Sequence, residues 1–458
     1  MSEASANFIA KSTIRSADLE HRRKINFNIS QYNAKVPAGK AQFTNLQQAR
    51  ELAKNTKWKA IESLDELLQN FERQFTSRGG KVIWAEDAEQ ATQAVLDICR
   101  RQNCTTVVKS KSMVTEEIHL NKALEKNGIQ SIETDLGEYI QQLDGEPPYH
   151  IVTPAMHKSK EDVARLFAQK LGTPSNLNPQ QLTLVARDVL RQKYTAAGVG
   201  VTGANFIIGD TGAVAVTENE GNARLSCAFP ATHIVIVGIE KMIPSLTDLA
   251  LFWPLLSTYG TGQQVTVYNS IITGPRQPGE TDGPQQMYVI LLDNGRTKVL
   301  ANAQQRQSLY CIRCGACLNA CPVYKNIGGH SYGTTYSGPI GSVLTPNLKN
   351  MDEYKHMSYA SSLCGACTEV CAVKINLHEL LLDNRHQSVE QGLPHFSEKI
   401  AWKMWKLASL NRSFMNMGGG SLKNKVVNTV FTSWKKNRSE LEFSPKTFNQ
   451  LWKERYKK

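Results

Sequence analysis

An α/β domain with a largely parallel sheet, then a cysteine-rich helical module and a basic helical tail, is the fold class the sequence predicts. Three observations carry it. Between residues 81 and 171 short apolar runs alternate with amphipathic segments, the pattern of strands joined by crossover helices. Seven of the ten cysteines fall within residues 311–371, in two spaced repeats. From Ala401 to Lys458, 13 Lys and Arg stand against three Glu, and four of the seven tryptophans (Trp402, Trp405, Trp434, Trp452) share that segment. At 458 residues the chain exceeds one ordinary core, which implies two or three domains.

Residues 1–60 read as a polar, basic N-terminal extension with helical stretches such as 45–52, and residues 61–300 as the α/β domain. Within 62–75, Leu64, Leu67, Leu68 and Phe71 recur at helical spacing. Residues 81–85 read as a strand, 88–101 as a helix, 105–108 as a strand and 116–127 as a helix. Strands are expected at 128–133 and 150–153, and a helix at 160–171. The second half of the domain offers a helix at 183–197 and strands at 204–208, 212–216, 233–237, 264–268 and 287–292. Glycine turns such as Gly209-Asp210-Thr211-Gly212 suggest hairpins there, and the Gly/Pro-rich stretch 274–284 reads as an irregular connection. Gly198-Val-Gly-Val-Thr-Gly203 has the G-x-G-x-x-G spacing of a dinucleotide site. It follows a helix and leads into a strand, the reverse of the context such a site needs, so it reads as a turn. The cysteine module takes residues 301–395, and the tail 396–458.

With 41% hydrophobic and 21% charged residues, the composition is that of a soluble globular protein. The most apolar run, 233–256, is interrupted by Glu240, Lys241, Pro244 and Asp248, so no membrane span is expected. Arg22-Arg23 is followed by Lys24-Ile-Asn-Phe-Asn28 rather than by an apolar stretch, and no export signal is visible. A cytoplasmic setting with reduced thiols follows; Cys99, Cys104 and Cys227 are scattered and form no secreted disulfide framework. The formal charge of +12 is concentrated in the tail. Basic charge among aromatics fits either a solvated helix whose tryptophans pack on the main body or the contact surface for an acidic protein, and no nucleic-acid motif accompanies it.

The chemistry lies in the cysteines. Cys311, Cys314, Cys317 and Cys321-Pro322 form C-x2-C-x2-C-x3-C-P, and Cys364, Cys367 and Cys371 repeat its last three positions. This is the spacing of a bacterial two-cluster ferredoxin module, built to hold [4Fe-4S] cubanes, with a structural zinc site as the competing reading. Short spacers let successive thiolates of one loop reach three irons, and the cysteine before proline reaches across to the other cluster. Cluster one then takes Cys311, Cys314, Cys317 and Cys371, and cluster two takes Cys321, Cys364 and Cys367. Ser361 stands where the second repeat lacks a cysteine, and Ala372 where it lacks proline. Cluster two is therefore a three-iron cluster, a cubane with a labile iron, or a cubane completed by Ser361, another cysteine or a partner. The Gly/Tyr-rich segment 328–346 is too long for a mere connector and suits docking or shielding. His330 and His356 read as polar loop residues.

Together the paired motifs Cys311-Ile-Arg-Cys-Gly-Ala-Cys-Leu-Asn-Ala-Cys321-Pro and Leu363-Cys-Gly-Ala-Cys-Thr-Glu-Val-Cys371, the loop Tyr336-Ser-Gly-Pro-Ile-Gly-Ser-Val-Leu-Thr-Pro346, the segment 198–212 and Thr217-Glu-Asn-Glu-Gly-Asn-Ala-Arg224 resemble the lactate utilization protein B family over essentially the whole chain. The resemblance implies a lactate-utilization domain related to sugar-phosphate isomerases and CoA transferases, and the same seven cysteine ligands. It also implies an electron-carrying role in a three-protein system that oxidises L-lactate to pyruvate, with the other subunits as partners and an acceptor that stays unknown. An alternative makes this chain itself the protein that binds and oxidises lactate or a related 2-hydroxy acid in its α/β domain. Glu218 or Glu220 of the Thr217-Glu-Asn-Glu-Gly segment would then serve as a carboxylate nucleophile, with Arg224 or His233 aiding; the plainer reading leaves all four structural.

Overall fold

The computed structural model describes residues 2–430 and 439–456. The chain divides into two compact units, Met1–Ser388 and Val389–Lys458. The larger is built on ten strands: β1 Lys81–Ala85, β2 Thr106–Lys109, β3 Gln130–Glu133, β4 Val199–Thr202, β5 Phe206–Ile208, β6 Ala213–Glu218, β7 Thr232–Gly238, β8 Met242–Ile243, β9 Tyr268–Ile272 and β10 Gln286–Leu292. Six of them form a fully parallel sheet in the order β1-β10-β7-β4-β2-β3. The remaining four form a small sheet, β8-β5-β6-β9, antiparallel except between β5 and β8.

Both faces of the parallel sheet are covered, and its central strands are apolar throughout for that reason. Along β7 Ile234 and Ile236 pack with Val95 and Ile98 of the helix Ala88–Arg101, while Val235 and Val237 face Leu68, Phe71 and Phe75 of the helix Leu64–Ser77. All four β7 side chains are fully buried, each a gain of about 1.5–3 kcal/mol over exposure. The small sheet lies on the second of these faces. Ile207 and Val214 join that core, while Phe206, Ile208, Ala213 and Ala215 turn the other way, into the core shared with the N-terminal helices and the cysteine module.

Three helices, α1 Glu3–Ala17, α2 Leu19–Lys40 and α3 Leu46–Glu62, make up the N-terminal extension. Ser2, Asp18 and Asn45 cap them by accepting backbone N–H bonds. Ile25 and Ile29 are buried, and Lys57 is buried too because its ammonium donates to the Glu240 and Met242 carbonyls at 2.6 and 2.9 Å. In the smaller unit the described helices are Phe396–Leu410, Arg412–Asn416, Gly420–Val430 and Phe448–Tyr456. Within that unit Trp402, Trp405 and Trp452 are 52–64% exposed, and Trp434 lies outside the described residues. Among the described residues no helix is long and apolar enough to cross a membrane.

Four local expectations need correction. Residues 198–203 are not a turn: they contain β4, the strand between β7 and β2. Its glycine is required by packing, since a Cβ on Gly200 would lie 1.8 Å from the Ser226 carbonyl oxygen. Residues 150–153 form no strand, because the His150 ring accepts the N–H groups of Val152 and Thr153 through Nδ1 and winds them into a turn. The strand expected at 264–268 starts at Tyr268, where pairing with Glu218 of β6 begins. The helix expected at 116–127 is two, Met113–Glu117 and Leu120–Lys126, parted at His119 by a left-handed φ of 54°.

Candidate iron–sulfur centre

The two cysteine loops repeat each other in backbone as well as in sequence. Arg313 and Leu363, each just before the middle cysteine, have φ of 61° and 53°; Gly315 and Gly365, just after it, have φ of 79° and 81°. A left-handed pair in succession folds the chain tightly enough to turn neighbouring thiols toward one centre, and glycine accepts the second such position without strain. The Arg313 N–H donates to Cys311 Sγ at 3.4 Å, and the Leu363 N–H donates to Ser361 Oγ at 3.1 Å. The serine hydroxyl therefore holds, in the second loop, the place that a thiol holds in the first.

Each loop leads into a short helix, Ala316–Ala320 and Ala366–Glu369, and the two helices pack together. Cys317 lies in the first turn of the first helix and Cys321 caps its end; Cys367 lies in the second helix and Cys371 just past its end. Each helix thus carries one thiol to either end of the pair. Cys317 feels the charges of Cys311, Cys314 and Cys371, and Cys367 those of Cys321 and Cys364. Two sets result, and Tyr332 feels a member of each, Cys321 and Cys317. The first set is the better shielded: Cys317 and Cys371 are buried, and Cys311 and Cys314 are half-buried. Its four cysteines line one small cavity with Ile312, Ile340, Val373 and Ile375, and burial pushes Cys314 up to about 12 and Cys371 up to about 11. The second set reaches the surface through exposed Cys364, whose thiol the Ala366 N–H holds below its ordinary value.

This donor arrangement fits a cluster better than a single ion. Tetrahedral zinc with Zn–S near 2.3 Å requires sulfurs only about 3.8 Å apart. Among the described residues no three cysteine Sγ atoms lie within 4.8 Å of one another; the one group of three potential ligands that does is Glu146, His157 and His330. Backbone N–H groups of Tyr324 and Ile375 also point at Cys321 and Cys371 Sγ, at 3.5 and 3.3 Å, the kind of donor that tunes cluster sulfurs.

Several supporting residues carry no sequence signal. Arg50 of α3 donates from Nε and Nη2 to the Cys371 carbonyl and from Nη2 to that of Glu369, tying the extension to the second loop. Arg296 lies fully buried between Glu117 and Glu240, at 2.9 and 2.5 Å. Glu240 also meets Arg313 at 3.4 Å, and these arginines outweigh burial and hold its carboxyl down to about 2. Tyr336 donates to Glu117 at 2.5 Å, which fastens the loop between the cysteine repeats to the α/β domain.

The other residues singled out from the sequence are engaged elsewhere. Glu218 accepts the N–H groups of Ala223 and Arg224 at 2.7 and 2.9 Å, and Glu220 accepts that of Leu136 at 3.0 Å. His233 is buried with its Nε2 against Thr202 Oγ1 at 2.8 Å. His330 donates to the Pro147 carbonyl through Nε2, and the His356 ring packs on Phe8.

Comparison with known proteins agrees with this layout. Residues 68–292 match the LUD domain family and residues 307–375 a 4Fe-4S dicluster domain. A lactate utilization protein B of Bacillus velezensis is 47% identical over 384 residues, covering 81% of this chain and 80% of its own length. The chain belongs to the lactate utilization protein B family. The Bacillus subtilis protein of that name is 45% identical over 376 residues, covering 82% of this chain and 78% of its own. A solved DUF162 family protein from Deinococcus radiodurans aligns with 50% of this chain and 98% of its own at 12% identity, but its TM-score of 0.29 carries no argument. The fold is thus a mostly parallel α/β LUD domain followed by a helical dicluster region.

Proposed function

We propose that this chain is the iron–sulfur electron-transfer subunit of a multi-protein system that oxidises L-lactate to pyruvate. The observation that carries the reading is the division of seven cysteines into a set that lines one small cavity beside the α/β domain and a set that reaches solvent at Cys364. Iron–sulfur clusters supply one-electron redox chemistry that no side chain offers. The chain's own part is to hold two such groups close together, shield the first and expose the second to a partner. Lactate oxidation releases two electrons and two protons, and two one-electron sites match that number. Cys311, Cys314, Cys317 and Cys371 hold the first cluster; Cys321, Cys364 and Cys367 hold the second, with Ser361 Oγ as its fourth ligand. The serine assignment is supported by its equivalence to Cys311 in the bond each accepts. A cytoplasmic location keeps these thiols reduced.

The test is iron, sulfide and zinc per chain after anaerobic purification, with electron paramagnetic resonance before and after dithionite. About eight irons, silent as isolated and paramagnetic when reduced, are expected for two [4Fe-4S] clusters. Zinc without iron ends the electron-transfer reading. Cys314→Ala should abolish the first signal while the α/β domain stays folded, and a variant keeping both signals refutes the ligand sets. Lactate should reduce the protein only when its partner proteins are present. Reduction of the isolated chain by lactate favours the alternative, in which this chain is itself the oxidising enzyme.

A further inference from the structure

A pocket of about 380 Å³ opens at the carboxyl ends of the parallel strands. The loops that follow β2 and β4 line it, and it lies between those two strands in the sheet order. From β2 the chain steps outward to β3 and then returns to the other side of β2, so this is the point where strand order reverses. Crevices at such points are where open α/β sheets take ligands. The cysteine module supplies the opposite wall, with Arg313, Cys314 and Tyr336.

The pocket's charges are unevenly satisfied. Its acids are engaged: Glu218 and Glu220 accept backbone N–H groups, and Asp135 pairs with Lys111 and caps the helix Leu136–Asp144. Lys111 is held by Asp135 and the Val152 carbonyl, but the pocket's other two cations are less fully satisfied. Lys241 is 6% exposed, lines the pocket, and among the described residues its ammonium has no hydrogen bond or ion pair. Arg313 has its Nη1 buried without a partner while its guanidinium lies 4.3 Å from the centre of the Tyr336 ring. The two repel each other, and Lys57 adds to the repulsion. The nearest carboxylate, Glu240, is already shared between Arg296 and Arg313. Buried cations that outnumber their counter-ions are costly unless a further anion joins them.

We propose that this pocket binds a small carboxylate of the 2-hydroxy or 2-oxo acid class, held by Lys241 and Arg313 against the Cys314 wall. The proposal rests on the lactate-system reading and extends it, since it makes this chain a binder of the acid as well as a carrier of electrons. The acid sits at the first set of cysteines, so its arrival is felt there.

The full chain with its clusters in place is titrated anaerobically by calorimetry with L-lactate, pyruvate and, separately, inorganic phosphate. One-to-one saturable binding of lactate or pyruvate is expected, with a change in the line shape of the first cluster's reduced signal. Lys241→Met should weaken binding by about tenfold or more, roughly 1.4 kcal/mol, with iron content unchanged. If that variant loses iron, Lys111→Met in the loop after β2 is read instead, and it too should weaken the acid. No saturable binding of either acid up to about 10 mM, where even a Kd of about 1 mM would register, overturns the proposal. Binding that both variants leave unchanged overturns it as well, and a preference for phosphate overturns the carboxylate assignment. A chain that binds no acid yet is reduced normally by dithionite loses this inference alone and keeps its electron-carrying role.

Discussion

Ser361 is the residue on which the second site turns. Its Oγ accepts the Leu363 N–H as Cys311 Sγ accepts that of Arg313, so a hydroxyl already stands at the missing thiol's position. Ser361→Ala should leave an open iron that is readily lost, dropping the count from about eight to about seven and giving a three-iron signal as isolated. Ser361→Cys should keep the full count and shift the potential of the second site only. Equal iron counts in wild type and Ser361→Ala would rule the serine out as a ligand. A different residue, His233, governs acid stability in the α/β core. Burial pushes its ring down to about 3, from an ordinary 6.5, so the folded state favours the neutral form. Its contribution is complete above pH 6.5 and is lost as pH falls toward 3, at about 1.4 kcal/mol per pH unit. Urea unfolding between about pH 6 and pH 4.5 should show that slope reduced by about 1.4 kcal/mol per unit in His233→Gln.

At the scale of elements, α3 and β4 each offer one contact whose loss can be read separately. Arg50 of α3 is mostly buried and makes charged hydrogen bonds to two carbonyls of the second cysteine loop. Such bonds contribute about 1.5–3 kcal/mol each. Arg50→Met should therefore speed iron loss to a chelator while the far-ultraviolet dichroism stays that of the wild type. Gly200→Ala should destabilise the sheet by about 3 kcal/mol or more, because the Ser226 carbonyl leaves no room for a methyl beside β4. These elements also show what a sequence can and cannot display. The strands of β1, β7 and β10 were legible because apolar side chains alternate between two covered faces. The cysteine repeats were legible because a cluster's ligands are mostly local in the chain. β4 was not, since a glycine demanded by close packing, Gly200, between two others makes the segment look like a turn. The turn at His150 hid behind a β-like Ile151-Val152, and only a side-chain bond to the backbone reveals it. Arg50 and Lys241 meet the cysteine module from two distant stretches, and no local pattern announces such a meeting.

Across the larger unit as a whole, one buried network joins the LUD domain to the cysteine module. Glu117 receives Arg296, Asn294 and Tyr336, and Glu240 receives Arg296 and Arg313. The first four of these residues and Glu240 are counted in the α/β domain or the loop that faces it, while Arg313 belongs to the cysteine loop itself. Removing one partner leaves charges buried and unpaired, which typically costs 3–5 kcal/mol. Arg296→Met should lower unfolding stability by about that amount and loosen the hold on the first cluster together with the sheet. Melting followed at once by iron absorbance and by tryptophan fluorescence should show the two signals shifting in step; iron absorbance left at its wild-type midpoint would mean the network serves the sheet alone.

Crossed thiols have a further consequence, for how the protein is made. Each of the two short helices that follow the cysteine loops carries one cysteine of the proposed first set and one of the second, within it or at its end. Filling one centre fixes both helices, and so sets two of the other centre's ligands in place before its iron arrives. Maturation should accordingly be close to all-or-none, and mass spectrometry under native conditions should find filled and empty chains with few carrying a single cluster. A preparation with half its iron is then half a population of working molecules, not a full population of impaired ones.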